Sequence, residues 1–152
     1  MVSATSLSLS PAPPVLIRTA LNDHPATGDV SADKARVLLV EDESCLAQII
    51  ELELTEAGYE VAIAKNGRTG LERAEALRPD LLLLDWGLPG MDGVEVCRQL
   101  RQQGNSTPII IVTSRAEEEG KPVAMAAGAT GYVMKPFSLD ELLETMERSL
   151  EA

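Results

Sequence analysis

Aromatic side chains are scarce in this sequence, since Phe, Trp and Tyr together make up 3% of its 152 residues. Apolar residues nevertheless make up 45% of the chain, as in folded soluble proteins. The length is enough for one domain with a buried core. We therefore expect aliphatic side chains to fill that core.

Cysteine is also rare, because the chain contains only Cys45 and Cys97. Both fall in segments whose apolar spacing predicts helices. Two thiols at this separation indicate neither a disulfide framework nor a metal site. We interpret both as small, buried or half-buried side chains.

Basic residues are in deficit, with 13 Lys and Arg against 24 Asp and Glu and a net charge of −11. An acidic protein repels phosphate backbones, so we expect no direct binding to nucleic acid. No apolar run approaches the length of a membrane span. The N-terminus has neither the charged n-region nor the long h-region of a secretory signal. We expect a cytoplasmic protein that does not insert into a membrane.

The N-terminal segment differs in composition from the remainder. Residues 1–34 are rich in Ser, Pro, Ala and Thr and have no sustained periodicity, which predicts a flexible tail. His24 lies in this tail, so we expect no catalytic role for it. The folded domain is predicted over residues 35–152.

From Arg36 onward, short apolar runs alternate with segments of helical spacing. The predicted strands are Val37–Val40, Val61–Ala64, Leu81–Leu84, Ile109–Val112 and Tyr132–Met134. The predicted helices are Ser44–Ala57 with Ser44 as its cap, Arg68–Leu77, Val94–Arg101, a short Val123–Ala127, and Leu139–Leu150 capped by Ser138. The acidic run at 117–119 is interpreted as a solvated loop. This alternation predicts an α/β fold with a doubly wound parallel sheet and helices on both faces.

Polar side chains follow the predicted strands at the edge where such sheets bind ligands. Glu41 and Asp42 follow the first strand, Asp85 the third, Thr113 the fourth and Lys135 the fifth. Two carboxylates about 5 Å apart repel by roughly 3 kcal/mol at an effective dielectric near 20. One lysine cannot balance three carboxylates, so a divalent ion is expected. Oxygen ligands favour Mg²⁺.

Four strings carry a resemblance to a known family. They resemble the receiver domain of two-component response regulators, over about residues 36–150: VLLVEDE at 37–43, LLLLDWGLPGMDG at 81–93, IIIVTS at 109–114 and GYVMKPF at 131–137. The resemblance implies a flavodoxin-like, five-stranded sheet with strand order 2-1-3-4-5. It favours the stand-alone, chemotaxis-receiver-like type. Because the chain ends just after the fifth helix, we expect no attached output module.

The resemblance also implies a metal site. Asp85 resembles the phosphoacceptor, a carboxylate nucleophile that forms an acyl phosphate. Asp42 resembles the principal ligand of Mg²⁺, and Glu41 the residue that acts through water. Asp85 and the backbone carbonyl of Gly87 complete the implied ligands. Asp is commoner than Glu at the position of Glu41.

Further roles follow from the same resemblance. Thr113 resembles the hydroxyl that bonds the phosphoryl group, and Lys135 the cation that pairs first with the aspartate and then with a phosphoryl oxygen. The Lys135–Pro136 bond is implied to be cis. Tyr132 resembles the aromatic switch residue, which rotates inward as Thr113 moves and so shifts the population between two packings. The alternative is an ordinary amphipathic strand residue.

Other residues near the site have plainer interpretations. Asp92 is expected to cap a helix, and Trp86 to line the site. Arg115, like Gly87, occupies a position that tunes acyl-phosphate lifetime in the family. Gly120 and Pro122 make the start of the fourth helix unusual and indicate a short helix.

The implied function is Mg²⁺-dependent phosphoryl transfer from a phosphohistidine to Asp85. The donor would be a histidine kinase or a phosphotransfer protein. Phosphorylation would switch a surface that binds a downstream protein, and whether it produces a homodimer stays open. The chain would catalyse only its own phosphorylation and dephosphorylation, so it is not expected to be an enzyme.

Three alternatives stay open at this stage. The first is a receiver-like adaptor that works without phosphorylation, although Asp42, Asp85, Thr113 and Lys135 are all intact. The second is a small phosphatase or flavin-binding protein of similar fold. A phosphatase with an aspartyl nucleophile would place a second aspartate where Gly87 lies. The third is a fragment of a transcription factor, which the lack of a basic helix pair disfavours for this chain.

Overall fold

The computed structural model describes residues 34–151, so the predicted tail, His24 included, lies outside the described residues except for Lys34. The described residues from Ala35 onward form one compact unit. The strands are β1 Arg36–Val40, β2 Glu60–Ala64, β3 Leu81–Asp85, β4 Ile109–Thr113 and β5 Gly131–Met134. The helices are α1 Ser44–Glu56, α2 Gly67–Leu77, α3 Gly93–Gln102, α4 Glu117–Ala126 and α5 Leu139–Glu151.

The five strands form one parallel sheet in the order β2-β1-β3-β4-β5. This order confirms the predicted fold and its strand sequence. The chain leaves β1 toward β2 on one side and then returns to β3 on the other. The crevice between the carboxyl ends of β1 and β3 is therefore the switch point, where ligands bind in such sheets.

The sheet is buried on both faces by aliphatic side chains, as the short apolar runs predicted. In β3, Leu82 and Leu84 pack in the core cluster that includes residues of α2, α3 and α4. Leu81 and Leu83 pack in the cluster that includes residues of α1 and α5. Burying each of these side chains contributes roughly 1.5–3 kcal/mol to folding. Two aliphatic cores thus hold the strand ends in fixed positions.

Two predicted helix caps are confirmed. The Asp92 carboxylate accepts a hydrogen bond from the Glu95 amide at 2.9 Å, at the start of α3. The Ser138 hydroxyl accepts one from the Glu141 amide at 3.0 Å, at the start of α5. Each oxygen satisfies an amide that has no partner within its helix.

The predicted cap of α1 is wrong. Ser44 is the first helical residue, and Glu43 holds the cap position without a side-chain hydrogen bond to the helix. The Ser44 hydroxyl instead accepts a hydrogen bond from the Lys65 ammonium at 3.1 Å. The backbone carbonyl of Glu43 still accepts the first helical hydrogen bond, from Ala47 at 3.0 Å. The Ser44 side chain therefore links the start of α1 to Lys65, the residue that follows β2.

The start of α4 also differs from the prediction. Glu117–Glu119 form the first turn of this helix, which includes Gly120 and Pro122 in its interior. Negative side chains in a first turn are favoured by the helix dipole. Pro122 has no amide hydrogen to donate to the carbonyl of Glu118, which is an exposed residue near the start of the helix. The helix is therefore longer than Val123–Ala127.

The two cysteines lie in different environments. Cys97 is buried and donates a hydrogen bond to the Ala127 carbonyl at 3.4 Å, and burial raises the pKa of its thiol. Cys45 is exposed on α1, so the prediction of a buried or half-buried thiol is wrong for this residue. Between residues 34 and 151, no helix combines the length and apolarity needed to cross a membrane.

Candidate functional site

Three carboxyl groups converge where β1 and β3 end. Glu41 and Asp42 follow β1 and Asp85 ends β3, and these strands pair in register at Val40 and Leu84. One carboxylate oxygen from each of the three acids lies within 4.8 Å of the other two. Glu41 is 3% exposed and Asp85 9% exposed, whereas Asp42 faces solvent. The predicted metal-ligating carboxylates are thus brought together, two of them inside the protein.

Lys135 reaches the same crevice from the end of β5. Its ammonium nitrogen lies 3.3 Å from Glu41 Oε1 and 3.5 Å from Asp85 Oδ1. The Lys135 amide donates to the Thr113 carbonyl at 2.8 Å, which holds the end of β5 beside β4. The bond to Pro136 is cis, as the resemblance implied. The lysine therefore bridges both buried carboxylates, whereas the resemblance named only the aspartate as its partner.

The pKa of Glu41 is raised above its ordinary value of 4.5. Burial is the largest cause and the charge of Asp85 is the second. The Glu43 amide, which donates to Glu41 Oε2 at 3.2 Å, and the Lys135 ammonium both lower the pKa but do not cancel the rise. Lys135 therefore does not fully offset the combined effect of burial and of the neighbouring Asp85 charge on Glu41.

This donor set fits Mg²⁺. The three clustered groups are carboxylates, and hard oxygen ligands are those that Mg²⁺ takes in proteins. Burial first and the charge of Asp85 second raise the pKa of Glu41, and a divalent cation beside these carboxylates would favour their charged forms. The exposure of Asp42 leaves room for the water ligands that Mg²⁺ retains.

A tight loop supports the carboxylate of Asp85. The Gly87 amide donates to Asp85 Oδ1 at 3.2 Å. A Cβ placed on Gly93 would overlap the Asp85 carbonyl oxygen and lie 3.0 Å from its carbonyl carbon. The Gly93 amide donates to the Trp86 carbonyl at 3.0 Å. Glycine at position 93 thus lets the loop fold back onto the end of β3, while the metal-binding role of the Gly87 carbonyl stays a prediction.

Thr113 and Tyr132 are linked through one residue, Arg115. The Arg115 amide donates to Thr113 Oγ1 at 3.2 Å, and the Tyr132 hydroxyl donates to the Arg115 carbonyl at 3.0 Å. The Arg115 guanidinium carbon lies 4.2 Å from the centre of the Trp86 ring. Thr113 and Tyr132 are 5% and 8% exposed. The two predicted switch residues therefore share a hydrogen-bonded connection beside the predicted site-lining tryptophan.

Sequence reasoning missed two features of this region. The sequence placed Glu41 and Lys135 at the same edge of the sheet, but it did not indicate that these two side chains form an ion pair. The contact of Gly120 with Tyr132 was also missed. Its only sequence signal was a glycine within a predicted helical region, where glycine is unfavourable.

Known proteins match this chain over its folded domain. Residues 37–147 match the family model described as the response regulator receiver domain. The chain is 44% identical to the response regulator ArlR of Staphylococcus saprophyticus over 115 residues, which cover 76% of this chain and 52% of that protein. The chain thus spans about half the length of the curated relatives it matches.

Solved structures give the same assignment. The chemotaxis protein CheY4 of Vibrio cholerae is 37% identical, with a TM-score of 0.72, 76% of this chain covered and 98% of that one. The receiver domain of the sensor histidine kinase PA1611 from Pseudomonas aeruginosa, which has a magnesium ion coordinated in its active-site cleft, is 33% identical. It has a TM-score of 0.72 and covers 78% of this chain and 99% of its own. The chain belongs to the family of response regulator receiver domains of two-component systems.

Proposed function

We propose that this receiver accepts a phosphoryl group on Asp85 from the phosphohistidine of a histidine kinase or phosphotransfer protein. In this transfer the phosphorus–nitrogen bond of the donor breaks and a phosphorus–oxygen bond to the carboxylate forms. The observation that supports it most is a buried Asp85 carboxylate that lies beside Glu41 and pairs with Lys135. A nearly buried aspartate that contacts a like charge is costly to stability, and a role in chemistry accounts for its presence.

The oxygens of Asp85 are engaged unequally. Among the described residues, Oδ1 receives both the Gly87 amide and the Lys135 ammonium. Oδ2 is left as the nucleophile in this proposal. The Lys135 ammonium then stabilises negative charge on the phosphoryl oxygens, and the Thr113 hydroxyl donates a hydrogen bond to one of them.

Mg²⁺ is the proposed cofactor. Asp42, Asp85 and the Gly87 carbonyl would hold it, with Glu41 acting through water. When bound, the ion supplies positive charge opposite the phosphoryl oxygens during transfer. The clustered carboxylates support this proposal, and so does the magnesium ion in the related receiver domain from Pseudomonas aeruginosa.

The proposed output is a change in a protein-binding surface. Movement of Thr113 toward the phosphoryl group would pull on Arg115 and so alter the hydrogen bond of Tyr132. The affected surface comprises α4, β5 and α5, and it would bind a downstream protein or a second copy of the chain. The chain would catalyse only its own phosphorylation and dephosphorylation. The proposal includes a receiver domain over residues 35–152 that works in the cytoplasm.

The test is phosphorylation by acetyl phosphate with Mg²⁺, followed by intact-mass spectrometry. We expect the mass of one phosphoryl group to be added, and hydroxylamine should remove it. When Mg²⁺ is chelated beforehand, the group should not be added. Asp85→Asn should abolish the addition. Asp80→Asn is a matched control, because Asp80 lies at the opposite end of β3 and accepts from the Arg36 amide at 2.7 Å. Phosphorylation that survives in Asp85→Asn would refute the assignment.

A further inference from the structure

The Tyr132 side chain fits against α4 at a position that has no side chain of its own. Its hydroxyl donates to the Arg115 carbonyl, and the ring is buried. A Cβ placed on Gly120 would overlap the Tyr132 hydroxyl oxygen. The same Cβ would lie 3.0 Å from Tyr132 Cζ and 3.2 Å from Trp86 Cζ3. Gly120 therefore leaves the space that the end of the tyrosine occupies.

The backbone gives no reason for glycine at this position. Gly120 lies inside α4, and it is not among the glycines with positive φ, which are at positions 58, 90, 104 and 128. Glycine inside a helix is less favourable than alanine. The space occupied by the end of Tyr132, and next by the ring edge of Trp86, thus accounts for glycine here.

We infer that Gly120 is the positioning residue of Tyr132, and that the size of the side chain at position 120 sets the fraction of molecules in which Tyr132 is inward. With glycine, the hydroxyl reaches the carbonyl of Arg115, whose amide bonds Thr113. With any larger residue, the hydroxyl and the Cβ would compete for the same volume. The consequence for signalling rests on the proposed function, whereas the effect on Tyr132 does not.

Two tyrosines make the position of Tyr132 measurable. The chain contains Tyr59 and Tyr132, so protein labelled with 3-fluorotyrosine gives two ¹⁹F resonances, and Tyr59 serves as an internal reference. We would measure relaxation caused by a soluble gadolinium chelate. Gly120→Ala should increase the relaxation of Tyr132 several-fold and leave Tyr59 unchanged. Glu118→Ala is the control, because Glu118 is exposed on the same helix.

A second measurement separates this role from a general disturbance of α4. Trp86 is the only tryptophan and lies against both Gly120 and Arg115. Gly120→Ala should shift its emission strongly when Tyr132 is present. In the Tyr132→Phe background the overlapping oxygen is absent, so the same substitution should shift the emission much less. The four proteins form a double-mutant cycle, in which the effect of Gly120→Ala on Trp86 emission should depend on whether residue 132 is Tyr or Phe.

The outcomes are separable. If Tyr132 relaxation is unchanged in Gly120→Ala, or if the Trp86 shifts are equal in both backgrounds, the inference is overturned regardless of phosphorylation. If the wild type fails to respond to acetyl phosphate while both effects are present, the proposed function fails and the positioning role stands. If both hold, Gly120→Ala should also reduce the change in Tyr132 relaxation that acetyl phosphate produces in the wild type.

Discussion

Replacement of Asp85 by asparagine should make the metal-free protein more stable, although it removes the proposed phosphoacceptor. Asparagine has the same shape and keeps an oxygen that can accept from the Gly87 amide and from Lys135 at Oδ1. The substitution therefore removes a buried charge without leaving a cavity. The change in stability depends on three terms that the charge contributes: attraction to Lys135, repulsion from Glu41 and the cost of burial.

The magnitudes follow from the distances. At an effective dielectric near 20, attraction to Lys135 across 3.5 Å stabilises Asp85 by about 5 kcal/mol. Repulsion from Glu41 across at most 4.8 Å costs at least about 3.5 kcal/mol. Burial of the carboxylate costs several kcal/mol more, which exceeds the difference. We expect a net gain on the order of 1–2 kcal/mol, or roughly 4 °C in Tm for each kcal/mol.

With Mg²⁺ present, the wild type should become more stable than Asp85→Asn. An ion that binds only the folded protein adds about 2.7 kcal/mol of stability at a concentration one hundred times its Kd. Wild type should gain this stability, and Asp85→Asn should gain much less because one ligand has lost its charge. Thermal unfolding followed by circular dichroism, in chelator and in a Mg²⁺ series, measures both effects.

Asp80→Asn provides the comparison for the same change at the far end of β3. It should respond to Mg²⁺ as the wild type does. The reasoning would be refuted if Asp85→Asn were less stable than wild type in chelator. It would also be refuted if the two proteins gained equal stability from Mg²⁺.

The pH dependence of the metal-free protein supplies another readout. The pKa of Glu41 is raised by burial and by Asp85, so the folded state binds this proton more tightly than the unfolded state. The contribution of Glu41 to stability is therefore greatest below its ordinary pKa of 4.5 and is lost as pH rises through the raised pKa. Asp85→Asn removes one cause of the rise, and the fall attributable to Glu41 should be smaller and occur at lower pH. An identical fall in both proteins would contradict this.

Three further outcomes are expected. Lys135→Ala should destabilise the metal-free protein by about 1–3 kcal/mol, because two buried carboxylates lose their cation, and an unchanged urea midpoint would contradict this. Gly93→Ala should lower the free energy of unfolding by more than about 2 kcal/mol, because the added Cβ overlaps the Asp85 carbonyl. Chemical denaturation measures this loss of stability. Ellman's reagent should modify Cys45 rapidly and Cys97 only after denaturation, and rapid reaction of both thiols would be inconsistent with the fold.

The sequence predicted the sheet well because local signals agreed with tertiary demands. Leu81–Leu84 and Ile109–Val112 are uniformly apolar because both faces of those strands are covered. Polar residues directly after such runs lie at one edge by the geometry of parallel sheets. The grouping of Glu41, Asp42 and Asp85 was therefore predictable, and so was Mg²⁺ as the ion that these carboxylates are expected to bind.

What the sequence could not provide depends on contacts between distant segments. Gly120 and Pro122 disfavour a helix locally, but packing against Tyr132 and an acidic first turn keep both within α4. Cys45 was expected to be at least half-buried, and helical spacing alone did not decide that it faces outward. Side-chain pairing between Glu41 and Lys135 requires coordinates, since it depends on how β1 and β5 approach one crevice.

The close approach of Gly93 has a consequence for how the receiver can respond. The backbone of Asp85 has no room for even one methyl group on that side, and the next amide, of Trp86, is bonded to the Val112 carbonyl at 3.1 Å. If Asp85 accepts a phosphoryl group as proposed, its backbone cannot recede to make room for that group. Under the same proposal the adjustment would come from the exposed stretch after β4, so that motion in a neighbouring segment would start from a fixed Asp85.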